Sequence, residues 1–393
     1  MKTGLTKWVR AVVTGPNFMK VAPLIRDIGR FNAENSGNNR KIDYTLVHTG
    51  QHYDDNMSDR FFKDLELPAA DVNLGVGSAM HGEQTAKILS AFEKLLLDIA
   101  PDLLIVVGDV NSTLACALAA VKLHIPVAHV EAGLRSFDRR MPEEINRVVT
   151  DVLSDYLFIP SPEGEENLAA EGISAEKRFL VGDVMVDTLF HSLEKARNRP
   201  ILDGWDIGPY ALLTLHRPAN VDDRDRFSRI LQGLQQVSVT LPIVFPLHPR
   251  TRRRIDEFAM ASAFCFTDSL DGRAIGRQNT ADPRIYGIRP VGYLDFLCLM
   301  VHATVVLTDS GGIQQETTVL DVPCVTLRDT TERPITLTKG TNVLVDSDPD
   351  RIVEEVARVL RGKRAGGERP KIWDGRSAER IVQVLAERMM DSS

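Results

Sequence analysis

Three acidic residues have types and positions that could do chemistry. Two of them follow apolar segments, and the third begins a predicted helix. Asp109 follows the run LLIVVG, Glu131 follows VAHV, and Glu143 begins a helical pattern in RRMPEEINR. A single carboxylate at the end of a strand is usually a helix N-cap or an ion-pair partner. Carboxylates buried close together repel one another, so their convergence on one sheet edge is better explained by proton transfer than by stability. The pattern therefore predicts general acid-base chemistry.

A glycine-containing turn in LTDSGGIQQE could bind phosphate groups. Ser310, Gly311 and Gly312 stand between a predicted strand and a predicted helix, where backbone N–H groups can approach a phosphate closely. Glu316 lies about one turn into that helix, where a carboxylate could accept hydrogen bonds from both hydroxyls of a ribose. A helix N-cap with an ordinary glycine turn explains the same residues. The segment is still the strongest nucleotide-binding signal in the sequence.

Basic side chains stand near other predicted strand ends. The segment LRDTTERP supplies Arg328 and Arg333, a pair of guanidinium groups that favours a diphosphate at the glycine turn. His216 ends the strand in LLTLHRPAN, where it could be a buried structural group, hold a phosphate or orient a base. Lys20 lies in the first turn of a helix, after the strand and tight turn of AVVTGPN.

Short apolar, β-branched segments alternate with amphipathic helical patterns along nearly the whole chain. That alternation predicts the α/β class, with two doubly wound, Rossmann-like parallel sheets covered by helices on both faces. The predicted strands span residues 9–14, 44–48, 103–107, 126–130, 156–159, 178–181, 211–215, 242–245, 304–307 and 323–326. The clearest predicted helices span residues 83–97 and 112–123.

The chain of 393 residues is too long for one hydrophobic core and predicts two domains. We place an N-terminal Rossmann-like domain, which carries the carboxylates, at residues 1–196 and a linker at 197–208. A C-terminal nucleotide-binding Rossmann-like domain follows at 209–375, and residues 376–393 are predicted to form a helix that packs back on the N-terminal domain.

Composition excludes several classes of partner. A formal net charge of -7 argues against a protein that binds nucleic acid through its overall field. No apolar run approaches the roughly 20 residues that a membrane helix needs. The four cysteines are scattered without a C-x-x-C pattern, so neither a zinc site nor a disulfide framework is indicated, and a cytoplasmic location is expected.

Nine motifs together resemble one family, the non-hydrolysing UDP-N-acetylglucosamine 2-epimerases, which have the glycosyltransferase-B architecture. The matching segments are PNFMKVAPL, HTGQHYD, VVGDVNSTLA, HVEAGLRS, MPEEINR, LHRPAN, PVGYLDF, LTDSGGIQQE and RDTTERP. They occur in the family's order and extend from residue 16 to residue 334.

The resemblance implies interconversion of UDP-GlcNAc and UDP-ManNAc for cell-envelope polysaccharide. UDP is eliminated anti across C1 and C2 to give a glycal, and is then added back with inverted stereochemistry at C2. Loss of the diphosphate must develop positive charge at C1 before a carboxylate can remove the C2 proton, and a second acid must return a proton to the opposite face. The resemblance implies no metal or redox cofactor, and it implies a homodimer.

The resemblance also implies roles for individual residues in catalysis and in binding the UDP-sugar. The residues implied in catalysis are Lys20, Asp109, Glu131, Glu143 and His216. The residues implied in substrate binding are Arg135, Phe296, Ser310, Gly311, Gly312, Glu316 and Arg333. Among the latter, Phe296 would stack on uracil, Glu316 would bind the ribose, and Arg135 is equally consistent with a structural ion pair. The resemblance does not assign base and acid among the three carboxylates.

The sequence departs from the family in the turn before the first helix. Members usually have G-T-R-P there, whereas Thr14 and Gly15 precede Pro16 directly and the arginine is absent. Because Lys20 and other cations remain for the diphosphate, we expect weaker binding and not loss of activity. Tyr53 stands where members with a regulatory substrate site have arginine, so allosteric activation is not expected.

Three other functions fit parts of the pattern. An epimerase of a modified sugar, such as a UDP-2,3-diacetamido-hexuronic acid, would use the same residues. A glycosyltransferase of the same architecture would not need the three carboxylates. A UDP-sugar binding protein without activity would fit the loss of the arginine. The segment 263–283, which interrupts the alternation, gives no functional prediction.

Overall fold

The computed structural model of the chain describes residues 7–14, 18–37, 40–50, 64–267, 284–362 and 367–390. The chain forms two compact units, one made of Met1–Phe190 with Lys371–Ser393 and the other of His191–Pro370. Within the described residues, no helix combines the length and apolar character needed to cross a membrane.

The first unit is built on a seven-stranded sheet in which all strand pairs are parallel. Its strands are β1 (Lys7–Thr14), β2 (Arg40–His48), β3 (Val72–Asn73), β4 (Leu103–Val107), β5 (Val127–Val130), β6 (Tyr156–Ile159) and β7 (Arg178–Leu180). Its described helices include α1 (Phe18–Glu34), α2 (His81–Ile99), α3 (Asn111–Lys122), α4 (Pro142–Leu153), α5 (Pro162–Ala170) and α6 (Val184–Arg197). The strand order is β3-β2-β1-β4-β5-β6-β7.

Alternate residues of β1 pack on opposite faces of this sheet. Ala11 and Val13 belong to an apolar core that includes Leu24 and Ile28 of α1. Val12 belongs to the core on the other face. Successive side chains of a strand point to opposite faces, so an unbroken apolar strand is the expected composition when helices cover both faces.

The second unit has the same plan. Its strands are β8 (Ala211–Thr214), β9 (Ile243–Pro246), β10 (Cys265–Thr267), β11 (Ile285–Ile288), β12 (Val305–Thr308), β13 (Cys324–Thr326) and β14 (Asn342–Leu344). Its described helices include α7 (Pro218–Val221), α8 (Arg224–Thr240), α9 (Pro249–Glu257), α10 (Tyr293–His302), α11 (Gly311–Leu320), α12 (Ile335–Thr338) and α13 (Pro349–Leu360). The strands form one parallel sheet in the order β10-β11-β9-β8-β12-β13-β14.

The C-terminal helix α14 (Ser377–Met390) belongs to the first unit, where it packs against α1. Asp187 of α6 holds its first turn, because its carboxylate accepts hydrogen bonds from the N–H groups of Ser377 (3.1 Å) and Ala378 (2.7 Å). A carboxylate at the N-terminus of a helix satisfies backbone donors that have no partner within the helix.

The predicted α/β class is confirmed: both sheets are parallel and doubly wound. All ten predicted strands are present, although β2 begins at Arg40 and not at residue 44. The strands that were not predicted are β3, β10, β11 and β14. They have two to four residues, and β10 lies within the segment 263–283 that interrupts the alternation. Residues 197–208, expected to be a linker, include Ile201, which is buried in a core of the second unit.

Candidate active site

The first candidate site lies where the strand order of the first unit reverses. In the sheet, β1 lies between β2 and β4. The chain runs from β1 to β2 and β3 on one side, and from β4 to β5, β6 and β7 on the other side. Ligands of doubly wound sheets bind at this point, beyond the carboxyl ends of the strands. Lys20 begins the helix after β1, Asp109 follows β4, and Glu131 follows β5.

Lys20 and Glu131 form a buried ion pair at this point. The ammonium group of Lys20 contacts carboxylate oxygen Oε2 of Glu131, and their side chains are 11% and 3% exposed. The backbone of Glu131 has a φ of 72°, in the left-handed region that non-glycine residues seldom adopt. Such backbone conformations occur preferentially at functional sites, where the surrounding structure holds them.

Gly108 lies against this ion pair. Its φ is 80°, and a Cβ atom added to it would stand 3.3 Å from Nζ of Lys20 and 3.5 Å from Oε2 of Glu131. Glycine permits both the backbone conformation and the close approach. Asp109, the next residue, is thereby placed beside the Lys20–Glu131 pair.

Helix α4 presents one charged residue per turn on one face. Glu143, Arg147 and Asp151 are spaced by four positions, and Arg147 Nη2 lies 2.5 Å from Oδ2 of Asp109. Arg147 also contacts Glu144, with 2.7 Å between Nη1 and Oε2. Since the Arg147 side chain is only 2% exposed, it holds the Asp109 carboxylate in one orientation.

Arg135 forms structural ion pairs, which is one of the two roles that the sequence allowed for it. Its Nη1 lies 2.7 Å from Oδ2 of Asp151, and its Nη2 lies 2.6 Å from Oε2 of Glu171. Its side chain is 1% exposed. A substrate contact by Arg135 remains a prediction.

The second candidate site lies at the corresponding reversal in the second unit, between β8 and β12. His216 follows β8, and its Nδ1 lies 3.2 Å from Oδ1 of Asp309, which follows β12. The fully buried Asp309 also accepts hydrogen bonds from the backbone N–H groups of His216 (3.0 Å) and Arg217 (2.8 Å). Asp309 therefore fixes both the ring and the backbone of His216.

The glycine turn of the second unit is packed against acidic and basic side chains. Ser310 is the N-cap of α11, and a Cβ atom added to Gly311 would stand 2.3 Å from Oε1 of Glu332 and 2.6 Å from Nη1 of Arg333. Glu332 forms ion pairs with Arg333 and with Arg328 (2.9 Å), and all three side chains are buried. The predicted pair of arginines is thus held beside the start of α11, where backbone N–H groups favour an anion.

Helix α10 carries Phe296, and its residue Tyr293 contacts Glu316 of α11. The Oη of Tyr293 in α10 donates a 2.8 Å hydrogen bond to Oε1 of Glu316. Burial, together with the charge of Glu316, raises the pKa of the Tyr293 hydroxyl well above its usual value, so it remains a donor. Phe296 lies about one turn further along α10 and is half-buried.

The structure brings Lys20, Asp109 and Glu131 to one sheet edge of the first unit, and His216, Ser310 and Arg333 to one sheet edge of the second. Glu143 lies in the first turn of α4, and its part in the site stays a prediction. The residues that position them were not predicted. They are Arg147, Asp151, Asp309, Glu332 and Tyr293. The four-residue spacing of Glu143, Arg147 and Asp151 is the one sequence signal that indicates part of this set. The turn Gly15–Asn17 and Tyr53 lie outside the described residues.

Comparison with known proteins identifies the family. The sequence matches the family described as UDP-N-acetylglucosamine 2-epimerase over residues 35–386. The chain belongs to this epimerase family. A UDP-N-acetylglucosamine 2-epimerase of Methanocaldococcus jannaschii is 43% identical over 383 residues, which cover 95% of this chain and 96% of that protein.

A crystal structure and one further relative extend the comparison. The crystal structure of the M. jannaschii epimerase in complex with UDP-GlcNAc and UDP has a TM-score of 0.82, with 41% identity, and covers 96% of this chain and 99% of that one. A UDP-2,3-diacetamido-2,3-dideoxy-D-glucuronate 2-epimerase of Pseudomonas aeruginosa is 41% identical over 345 residues, covering 87% of this chain and 91% of that protein. Family members with similar identity to this chain therefore act on different sugars.

Proposed function

We propose that this protein is a UDP-N-acetylglucosamine 2-epimerase that interconverts UDP-GlcNAc and UDP-ManNAc. The observation that carries the proposal is the group formed by Lys20, Glu131 and the Arg147-held Asp109 at the strand reversal of the first unit. Membership of the epimerase family, and the M. jannaschii relative in particular, supports this substrate.

The carboxylates of the first unit carry the proton transfers in this proposal. The bond between C1 and the diphosphate oxygen breaks with its electron pair on UDP, and positive charge develops at C1. A carboxylate among Asp109, Glu131 and Glu143 removes the C2 proton, and the electrons of the C2–H bond form the C1=C2 bond of the glycal. A second acid then protonates C2 from the opposite face while UDP returns to C1. Lys20 stabilises the negative charge that develops on the leaving diphosphate.

The second unit binds the nucleotide in this proposal. The N–H groups at Ser310, Gly311 and Gly312 and the guanidinium of Arg333 hold the diphosphate. Glu316, oriented by Tyr293, accepts hydrogen bonds from the ribose hydroxyls, and Phe296 stacks on uracil. His216, fixed by Asp309, contacts the diphosphate as a further donor.

A modified UDP-sugar is the second candidate substrate. The P. aeruginosa relative, a UDP-2,3-diacetamido-2,3-dideoxy-D-glucuronate 2-epimerase, is nearly as similar to this chain as the M. jannaschii enzyme. The two candidates share the reaction at C1 and C2 and differ in the groups at C3 and C6.

A single experiment separates these candidates. The purified protein is incubated with UDP-GlcNAc or with UDP-2,3-diacetamido-2,3-dideoxy-D-glucuronate in D2O, and deuterium at C2 is followed by NMR. We expect deuterium at C2 and a UDP-ManNAc product from UDP-GlcNAc. Exchange with the diacetamido sugar alone would favour the second candidate, and UDP binding without exchange in either would contradict both.

Three features of the biological setting belong to the same proposal. We infer a cytoplasmic location, a homodimer and a role in cell-envelope polysaccharide synthesis. The free cysteines, of which Cys116, Cys298 and Cys324 are buried, support a reducing compartment. The dimer rests on the family resemblance, and light scattering of the purified protein tests it.

A further inference from the structure

A fully buried carboxylate, Asp151, lies at the end of α4 and connects two loops of the first candidate site. Its Oδ1 lies 2.6 Å from Nδ1 of His129, and its Oδ2 accepts a hydrogen bond from the N–H of Gly133 at 3.1 Å. Arg135 Nη1 contacts the same Oδ2 at 2.7 Å. The side chains of Asp151 and His129 are both 0% exposed.

His129 also contacts Gly108, so it connects Asp151 with Gly108. Its Nε2 lies 2.8 Å from the carbonyl oxygen of Gly108, and the Gly108 N–H donates to the carbonyl of Val130 at 3.0 Å. The Gly108 carbonyl can only accept, and so can the ionised Asp151 carboxylate. Both ring nitrogens of His129 therefore face hydrogen-bond acceptors.

His129, Asp151, Arg135 and Glu171 follow one another in a chain of contacts. The Asp151 carboxylate lies between the His129 ring and the Arg135 guanidinium, and Arg135 lies between two carboxylates. Burial by itself raises the pKa of Asp151, but His129 and Arg135 hold that pKa below its usual value. A buried carboxylate is tolerated only with such partners.

We propose that Asp151 is a positioning residue of the epimerase, which through His129 fixes Gly108 and through Gly133 fixes the loop after Glu131. The inference rests on the proposed function for its catalytic consequence. Asp151 contacts His129, Gly133 and Arg135 and none of the three proposed carboxylates, and it acts through the backbone that carries Asp109 and Glu131.

The position of Gly108 links the contacts of Asp151 and His129 to the proposed catalytic groups. A Cβ added to Gly108 would stand 3.3 Å from Lys20 Nζ and 3.5 Å from Glu131 Oε2, and Asp109 is the next residue. We therefore expect a shift of the Gly108 backbone to move Asp109 relative to the Lys20–Glu131 pair. Misplacement of reacting groups by about 1 Å can lower the rate about 100-fold. A carboxylate needed only for folding would not have this effect on the folded enzyme.

The first test compares Asp151→Asn with Asp187→Asn. Both residues are buried carboxylates of the first unit that accept backbone hydrogen bonds, but Asp187 contacts α14 and not the candidate site. For Asp151→Asn we expect kcat for C2 epimerisation to fall about 100-fold with KM and UDP affinity within about threefold of wild type. Asp187→Asn should keep kcat. A wild-type kcat in folded Asp151→Asn overturns the proposal.

A double-mutant cycle tests whether Asp151 and His129 affect kcat through the same contact with Gly108. His129→Gln supplies an amide N–H for the Gly108 carbonyl but removes the contact between the imidazole ring and Asp151. If both residues act through Gly108, the double variant loses no more than the worse single variant. Losses in kcat that multiply would show independent roles and contradict the proposal.

Amide hydrogen exchange tests positioning without turnover. We expect Asp151→Asn to speed exchange at the Gly108 and Glu131 amides at least about tenfold, whereas Asp187→Asn leaves both unchanged. If the wild-type protein fails to exchange deuterium into any UDP-sugar, the proposed function falls, and these amide rates still decide the positioning role. Unchanged exchange rates at both amides in Asp151→Asn would contradict the positioning role of Asp151.

Discussion

Lys20 forms a buried ion pair with Glu131, from which it is separated by 111 residues of sequence. Lys20 stands at the start of the helix after β1, and Glu131 stands at the end of β5, with β4 between the two strands. The pair places an ammonium group and a carboxylate at the strand reversal where the proposed proton transfers take place.

Replacing Glu131 by glutamine should abolish most C2 exchange. The amide cannot take or return a proton, and the loss of one acid-base group costs about 100-fold to 10,000-fold in rate. UDP affinity should change little, because Glu131 is not among the predicted nucleotide contacts. Deuterium exchange by NMR and UDP titration by calorimetry measure the two effects. The matched control is Glu83→Gln, whose carboxylate pairs with Lys87 on the exposed face of α2. Exchange at the wild-type rate in Glu131→Gln would remove Glu131 from the mechanism.

Gly311→Ala should weaken binding of UDP. The new methyl group would stand 2.6 Å from Nη1 of Arg333, and that guanidinium must move. A charge-assisted hydrogen bond contributes about 1.5 to 3 kcal/mol, so we expect Kd for UDP to rise about 10-fold to 100-fold. Gly29→Ala, where a Cβ meets nothing within 4 Å, is the control for the glycine-to-alanine change itself. Equal UDP affinity in Gly311→Ala and wild type would argue against a diphosphate contact by Arg333.

Gly15→Arg should increase catalytic efficiency. The change creates the order Thr-Arg-Pro that family members usually have, and the resemblance assigns that arginine to the diphosphate. We expect kcat/KM to rise about 10-fold to 100-fold, the value of one charge-assisted hydrogen bond. Gly15→Gln supplies a polar side chain without the charge and should give little gain. No gain with arginine would indicate that other cations already replace it.

Asp187 should make the stability of the first unit depend on pH. Burial raises the pKa of its carboxyl from 3.8 to about 6 in the folded protein. Because the folded pKa is the higher one, the stabilising contribution is complete below about pH 4 and is lost as pH rises through about 6. A shift of about two units corresponds to about 3 kcal/mol.

The comparison with Asp187→Asn isolates this group from the other carboxyls. The difference in free energy of unfolding between wild type and variant should change by about 3 kcal/mol, in favour of the variant, between pH 4 and pH 7. Urea denaturation at a series of pH values measures it. A difference that stays constant with pH would show that Asp187 ionises in the folded protein as it does in the unfolded chain.

The strands and the family were predictable because their signals are local. Each predicted strand is an apolar run bounded by turn residues, and segments such as LTDSGGIQQE hold their chemistry within ten consecutive residues. The sequence therefore determined the α/β class and the residues that could transfer protons or bind a nucleotide. The edge strands β3 and β14 were missed because each has only two or three residues, one of which is asparagine, and neither is a continuous apolar run.

Only the tertiary structure decided which of these residues meet. The order of strands in the sheet places the ends of β1, β4 and β5 side by side, and this brings Lys20 to Glu131 and His129 to Gly108. Likewise, Asp309 is buried under His216 because β8 and β12 are neighbours. Periodicity fixes which face of an element is apolar, whereas neighbours in a parallel sheet are set by the packing of whole crossover units. Contacts across such units have no local signature, so the partners that orient each candidate catalytic group are set only by the assembled sheets.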